Sequence, residues 1–346
     1  MLALRKTAPR RGLELCDAAA PVLPGPGEVL LDVTAVGVCG TDLHIEAWTG
    51  NYHFMAAALP VTIGHEFSAR VAAVGADVAE LARGDRVTVM PSVTCGSCAA
   101  CTTGHAEACR SRTGIGITRA GAFAPRVVAP ARNCIRVPPA VDDELAALCE
   151  PLTVGAEAVR TGEVSPAHRV LVLGPGTIGQ AIALAARHAG ACEIVVAGRH
   201  DAQRLATVRT LGFERVVDVA DGTLQDALAR AGESAPFHRV FEATGAPEVV
   251  PDALLALAPG GVLVISGIHE RPATVDLTRV VRDTLQIRGA YRASRATWAD
   301  VIARLATAGD AYRPMITHRL PLARALDGFA IAHAREASKV MVFPQA

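Results

Sequence analysis

The sequence predicts an α/β protein of two domains, one β-rich and full of turns, the other a doubly wound parallel sheet. Three observations carry this. The chain has 346 residues, more than a single hydrophobic core comfortably serves. Residues 1 to about 150 are strand-like and punctuated by glycine and proline. From about 152 to 290, short apolar runs alternate with helix-length segments, the texture of a parallel sheet covered on both faces.

Taken in order, "GEVLLDVTAVGV" and "GDRVTVMP" are β-branched runs bounded by glycine and proline and read as strands. "HRVLVLG" (168–174) is a buried strand, "TIGQAIALAARHAG" (177–190) a helix, "EIVVAG" (193–198) a strand and "DAQRLATVRTLG" (201–212) a helix. The strand "RVVDV", the helix "GTLQDALARAG", the strand "RVFEATG", the helix "PEVVPDALLALAPGG" and the strand "GVLVISG" follow. From about 291 the chain holds the helical "SRATWADVIARLATAG" and closes on the strand "SKVMVFP".

Composition excludes several function classes. Half the residues are hydrophobic (51%) and 20% are charged, as in an ordinary soluble globular protein. Net charge is zero and Lys and Arg are scattered, which opposes a nucleic-acid-binding face. The opening "MLALRKTAPRRG" has no apolar core after its charges, so it is no secretory signal. No apolar run approaches the roughly 20 residues of a membrane span. Neither nucleic acid nor membrane is expected as a partner, and a cytoplasmic location is. The nine cysteines are an odd number. Cys16, Cys39, Cys134, Cys149 and Cys192 are dispersed, a pattern of metal ligands and buried thiols rather than disulfides.

Gly174, Gly176 and Gly179 in "VLVLGPGTIG" have the G-x-G-x-x-G spacing. A strand precedes them and a helix follows, the context that makes the spacing informative. These glycines let the backbone turn tightly and approach a pyrophosphate, at which the helix starting near Thr177 points free N–H groups. Pro175, Thr177 and Ile178 belong to the same turn, and Thr244 and Gly267 are counted with the cofactor-binding residues. Where NAD-binding versions carry an acid for the ribose, this chain has Arg199, with His200 and Arg204 near it. Arginine grips a 2′-phosphate that an acid would repel, so NADP is expected over NAD. The competing reading makes Arg199 a solvated side chain and Asp201 the cap of the next helix.

Cys95, Cys98, Cys101 and Cys109 are spaced C-x2-C-x2-C-x7-C, which lets four thiolates converge on one tetrahedral zinc. A shell closed by four sulfurs has no position for a substrate, so a structural role is expected. An iron–sulfur cluster ranks below zinc because the spacing differs from the ferredoxin patterns. His105 is surplus to the site and reads as a solvated loop residue.

A more dispersed set, "GVCGTDLH", "GHE" and "CEPLTVG", completes a resemblance. With "GEVLLDVTAVGVCGTDLH", "LPVTIGHEFSARV", "GAFAPRVVAPARNCIRVP", "GPGTIG" and "ASKVMVF", the chain resembles the zinc-containing medium-chain dehydrogenase/reductase family, on its polyol and threonine dehydrogenase side. The resemblance implies a GroES-like catalytic domain from residues 1–152 and 291–346, and a Rossmann cofactor domain from 153–290. It implies a catalytic zinc on Cys39 and His65, with Glu66 and Glu150 completing the shell directly or through water. Thr41 then receives the proton of a zinc-bound hydroxyl and His44 passes it on by way of the cofactor ribose, while hydride goes to the nicotinamide. Cys149, beside Glu150, reads as a small buried residue. The implied substrate is a secondary alcohol (polyol, sugar alcohol or sugar acid) or its ketone, with L-threonine as the alternative. Trp48, Tyr52, His53 and Phe54 either cover the substrate or simply pack. A homo-oligomer, dimer or tetramer, follows by analogy. A non-enzymatic zinc- and nucleotide-binding protein predicts damaged ligands, and Cys39, His65, Glu66 and Glu150 all stand. A zinc-ribbon nucleic-acid binder is opposed by the zero charge.

Overall fold

Mostly apolar residues make Glu28–Gly37 and Glu66–Val74 long antiparallel strands at the centre of a seven-stranded sheet. The protein was analysed as a computed structural model that describes residues 1–21 and 23–345. Across the sheet the order is Cys134–Arg136, Arg86–Val89, Glu66–Val74, Glu28–Gly37, Lys339–Phe343 and Ile316–Pro321, with Arg126–Pro130 also paired to Glu28–Gly37. The strand Lys339–Phe343 therefore inserts beside the first long strand, Met341 opposite Gly37. Leu31, Ile63, Phe67, Phe123 and Val340 share one buried cluster there.

The second sheet has six strands, all parallel, in the order Val216–Asp218, Glu193–Gly198, Arg169–Leu173, Phe237–Glu242, Leu257–Ile265 and Gln286–Gly289. Strand order reverses direction beside Arg169–Leu173, the place where sheets of this kind form a crevice at the carboxyl ends of the strands. Gly174, immediately after that strand, has φ +105°, and Thr177–His188 forms the helix behind the turn. A Cβ on Gly179 would stand 1.7 Å from the Gly174 carbonyl oxygen, so only glycine lets the helix close on the turn.

Two expectations change. The helix read as "PEVVPDALLALAPGG" covers only Val249–Leu255, and the next strand already begins at Leu257. Pairing of Leu257 with Phe237 takes over, and Pro259 followed by Gly260 at φ +74° cannot extend a helix well. A 19-residue helix, Asp143–Thr161, occupies a stretch read only as a motif. Pro151 within it removes one ladder bond, yet Leu145, Leu148, Leu152, Ala158 and Val159 are buried in the core beside Val172 and Ile182. Apolar burial outweighs the local cost. Positions 152 and 153, where the sequence divides its two regions, lie inside this helix. Among the described residues no helix is long and apolar enough to cross a membrane.

Gly179→Ala should lower the thermal midpoint by about 5 °C, the scale expected of overpacking in a domain of this size, and abolish NADPH binding measured by nucleotide fluorescence. Wild-type affinity in this variant would show that the close approach is dispensable.

Candidate active site

The strand Glu28–Gly37 leads through Val38 to Cys39, which is the N-cap of the helix Gly40–Ala47. Cys39 Sγ accepts from Thr41 N–H at 3.4 Å, while Asp42 Oδ2 accepts from Cys39 N–H at 3.0 Å. This reciprocal cap fixes the sulfur at the positive end of a helix. Glu66 opens the neighbouring strand, in register opposite Gly37, and His65 immediately precedes it. The ligand atoms of Cys39, His65 and Glu66 all lie within 4.8 Å of one another. Thiolate, imidazole and carboxylate together are a donor set for zinc with room for another ligand. Glu66 Oε1 is buried without a hydrogen-bond partner, as fits an atom reserved for a metal.

Two residues here had no role assigned from sequence. Asp42 is fully buried, and its Oδ1 lies 3.6 Å from His65 Nδ1, an orientation that leaves Nε2 for the metal. Lys339 is 1% exposed; its Nζ donates to Glu66 Oε2 at 2.5 Å and to the Val38 carbonyl at 2.8 Å. A Cβ on Gly37 would come within 2.4 Å of Glu66 Oε2, so this glycine keeps the space for the pair. The signal for Lys339 was a charged residue in "KVMVF", a strand whose other residues are apolar.

Charges and burial set the protonation of the group. Burial pushes the Cys39 thiol up, assisted by Glu66 and opposed by His65. Burial pulls His65 down, but Asp42 and Cys39 outweigh it and hold the imidazole well above its usual value. Lys339 is likewise raised despite its burial, chiefly by Glu66. Glu150 lies on the Asp143–Thr161 helix and is not within the 4.8 Å set. Desolvation pushes its carboxyl up to about 7, against the pull of His65 and Lys339. Adjacent Cys149 is fully buried in the core, which pushes its thiol up.

Thr41 and His44 stand one turn apart on the Gly40–Ala47 helix. Tyr52 O–H donates to Thr41 Oγ1 at 3.1 Å, and the Tyr52 and His44 rings stack with centroids 5.9 Å apart. His44 Nδ1 lies 3.1 Å from Glu270 Oε1, and Asn51 Nδ2 donates to the His269 carbonyl at 3.0 Å. Both contacts join this helix region to the loop beyond the strand Leu257–Ile265. Trp48 stacks on His53, and Phe54 is exposed.

Cys95, Cys98, Cys101 and Cys109 also bring their sulfurs within 4.8 Å of one another. Cys95 Sγ accepts from Cys98 N–H at 3.3 Å, and Cys109 Sγ from Cys95 N–H at 3.4 Å. N–H groups of Ser97 and Cys98 bring the Cys95 thiol down to about 6. Four converging sulfurs, two of them held by N–H donors, fit a tetrahedral zinc. His105 is exposed beside Glu107.

In the crevice, a Cβ on Gly176 would meet only Arg204 Nη1, at 3.8 Å, so the turn has open space above it for a phosphate. Thr177 Oγ1 donates to the Ser338 carbonyl at 2.6 Å, and Gln180 Nε2 donates to the Pro175 carbonyl at 2.8 Å. Ile178 packs against the main core. Arg199 and His200 are exposed, with Arg199 Nη2 donating to the Gly222 carbonyl at 2.8 Å. Arg204 is turned inward: Nε donates to the Ala337 carbonyl at 2.8 Å and Nη1 to Asp201 Oδ2 at 3.4 Å. Thr244 N–H donates to Glu242 Oε1 at 2.6 Å, and Gly267 N–H to the Glu242 carbonyl at 3.1 Å. Both therefore sit just beyond the carboxyl ends of their strands, Phe237–Glu242 and Leu257–Ile265.

Residues 25–139 match the family model described as the alcohol dehydrogenase GroES-like domain, and residues 177–307 match that of the zinc-binding dehydrogenases. The chain is 34% identical to an L-threonine 3-dehydrogenase of Saccharopolyspora erythraea over 345 residues, covering 99% of this chain and 98% of the relative. Its fold is similar to a putative zinc-binding dehydrogenase of Sinorhizobium meliloti 1021 bound to NADP (28% identity, TM-score 0.86, 99% of both chains). It is also similar to a protein of Escherichia coli CFT073 described as a short chain alcohol dehydrogenase, complexed with NADH (26% identity, TM-score 0.87, 99% of both chains).

Lys339→Met would strand the Glu66 carboxylate, and the metal-free protein should lose about 3–5 kcal/mol in urea denaturation. Glu66→Gln in that background should restore most of it; a Lys339→Met protein as stable as wild type would refute the pairing. Glu150 makes a second prediction. Its folded value of about 7 exceeds the ordinary 4.5, so folding binds this proton more tightly. The resulting stabilisation is complete below about pH 4.5 and lost as pH rises through about 7. Calorimetry of metal-free protein should show that fall, and Glu150→Gln should flatten it; an unchanged slope would assign the titration elsewhere.

Proposed function

From the premise that this chain belongs to the zinc-containing medium-chain dehydrogenase/reductase family and is a zinc-dependent alcohol oxidoreductase using a nicotinamide cofactor, we propose that it oxidises a secondary alcohol bearing a polar group on the neighbouring carbon. L-Threonine is the first candidate, because the full-length relative at 34% identity is an L-threonine 3-dehydrogenase. A polyol is the second, favoured by a carboxylate at Glu150, the feature shared with the sorbitol-type branch. The observation that carries the reading is the Cys39, His65 and Glu66 trio beside Thr41 on one helix end.

Cys39, His65 and Glu66 would hold the catalytic zinc, with Glu150 completing the shell directly or through water. Bound zinc supplies Lewis acidity that lowers the pKa of an alcohol, and a bound nicotinamide supplies the hydride acceptor. Thr41 Oγ1 takes the alcohol proton as its own proton leaves toward His44. His44, beside Glu270 at the surface, carries it out to solvent. Asp42 keeps the His65 ring in place and Lys339 holds the Glu66 carboxylate in position. The turn Gly174–Gly179 cradles the pyrophosphate, with Thr244 and Gly267 at the nicotinamide end. The four-cysteine loop would hold a second zinc whose role is structural.

The cofactor is NADP on this reading. Arg199 is exposed at the strand end where an acid would select against the 2′-phosphate, and His200 beside it is free to join. Arg204 supports that corner from behind. A homo-oligomer, dimer or tetramer, would pair copies along the edge strand Gln286–Gly289, next to exposed Leu277, Val281 and Tyr291. Nine unpaired cysteines support a reducing cytoplasm.

One experiment tests these points together. Purified protein should carry two zinc ions per chain and turn over one member of a panel of L-threonine, polyols and sugar acids. It should prefer NADP in kcat/KM, and Arg199→Asp should cost NADP turnover about tenfold or more, as loss of a charge-assisted contact implies. A tenfold preference for NAD in the wild type would overturn the cofactor assignment.

A further inference from the structure

We propose that Tyr52 is a positioning residue for the alcohol chemistry: its hydroxyl fixes the direction of the Thr41 hydroxyl, and its ring holds the His44 imidazole. This rests on the reading of Thr41 and His44 as the proton path.

Tyr52 lies in the 3-10 segment Gly50–Ala58, where it and Met55 are the buried residues. It is only 8% exposed. A buried phenol needs a hydrogen-bond partner, and this one donates to Thr41 Oγ1 at 3.1 Å. The ring is nearly parallel to the His44 imidazole, with centroids 5.9 Å apart and planes at 16°. Thr41 and His44 are three apart on one helix and so share a face. One side chain thus touches both.

The contact constrains the Thr41 hydroxyl in a definite way. A hydroxyl has one proton and two lone pairs and rotates to suit its surroundings. Donation from Tyr52 occupies one lone pair. The second stays open to the incoming alcohol proton, and Thr41's own proton must point away from Tyr52. A freely rotating hydroxyl would have to reach that arrangement by chance in each turnover. Accepting from Tyr52 also polarises the threonine O–H, which makes it a better donor onward. Tyr52 itself neither gains nor loses a proton. Its ring also meets that of Phe54, 6.1 Å away between centroids, and the preceding residue, Asn51, is anchored to the His269 carbonyl.

Tyr52→Phe keeps the ring and removes only the donor, so it is the decisive variant. In the zinc-loaded enzyme, kcat for alcohol oxidation should fall about five- to tenfold, the scale of one lost hydrogen bond. KM for the alcohol and Kd for the cofactor should stay within about twofold. In a Thr41→Val background, whose residual turnover is read by single-turnover nucleotide fluorescence, adding Tyr52→Phe should cost nothing further. A readout apart from activity uses 3-fluorotyrosine at the three tyrosines. The 19F resonance missing from Tyr52→Phe should move when Thr41 becomes valine. An unchanged kcat in Tyr52→Phe, a rise in KM alone, the same loss in the Thr41→Val background, or an unmoved resonance would each overturn the proposal. Full turnover by Thr41→Val alone would instead overturn the proton path on which it rests.

Discussion

The buried ion pair between Lys339 and Glu66 is the constraint on which the catalytic half depends. An ammonium taken out of water is costly unless a charge and further acceptors meet it, and here Glu66 and the Val38 carbonyl do so. Those partners flank the cysteine and histidine of the metal trio. The pair therefore pins the strand before Cys39, the strand after His65 and the strand Lys339–Phe343 to one point. Gly37 is where the three strands come close enough for this to happen.

The same contrast between local and distant constraints explains what could be read from sequence. The turn at Gly174–Gly179 and the loop Cys95–Cys109 were legible because their function is a local backbone or spacing requirement. Cys39, His65 and Glu66 were legible only through resemblance, since nothing in their spacing brings them together. The Asp143–Thr161 helix escaped because Pro151 and Gly155 argue locally against it while burial argues for it. Lys339 and Asp42 escaped because each acts through a partner that folding alone supplies. Tyr52 stood in a loop of aromatics whose role was open between covering and packing. Its bond to Thr41 needs coordinates to be seen.

The two halves are also tied through side chains that sequence reading would assign to one half only. Arg204 belongs to the cofactor corner, yet its guanidinium reaches the Ala337 and Ala332 carbonyls beside the returning strand. Thr177 and Gln180, at the start of the phosphate-facing helix, both hold Ser338. The residues just before Lys339 are thus bonded directly to the turn and the first residues of its helix. His44 with Glu270, and Asn51 with the His269 carbonyl, make a second bridge on the far side of the cleft.

Lys339 also imposes an order on biosynthesis. It is made 273 residues after Glu66, a delay of roughly 15–55 s at about 5–20 residues per second. Throughout that interval the nascent chain holds Cys39, His65 and Glu66 without the cation that neutralises their site, while the whole six-stranded sheet is being made. The cysteine loop can bring its four sulfurs together as soon as it emerges, because they lie within fifteen residues. The trio of Cys39, His65 and Glu66 acquires its full charge balance only after the six-stranded sheet has been made, so of the two ligand sets it is the later to be finished.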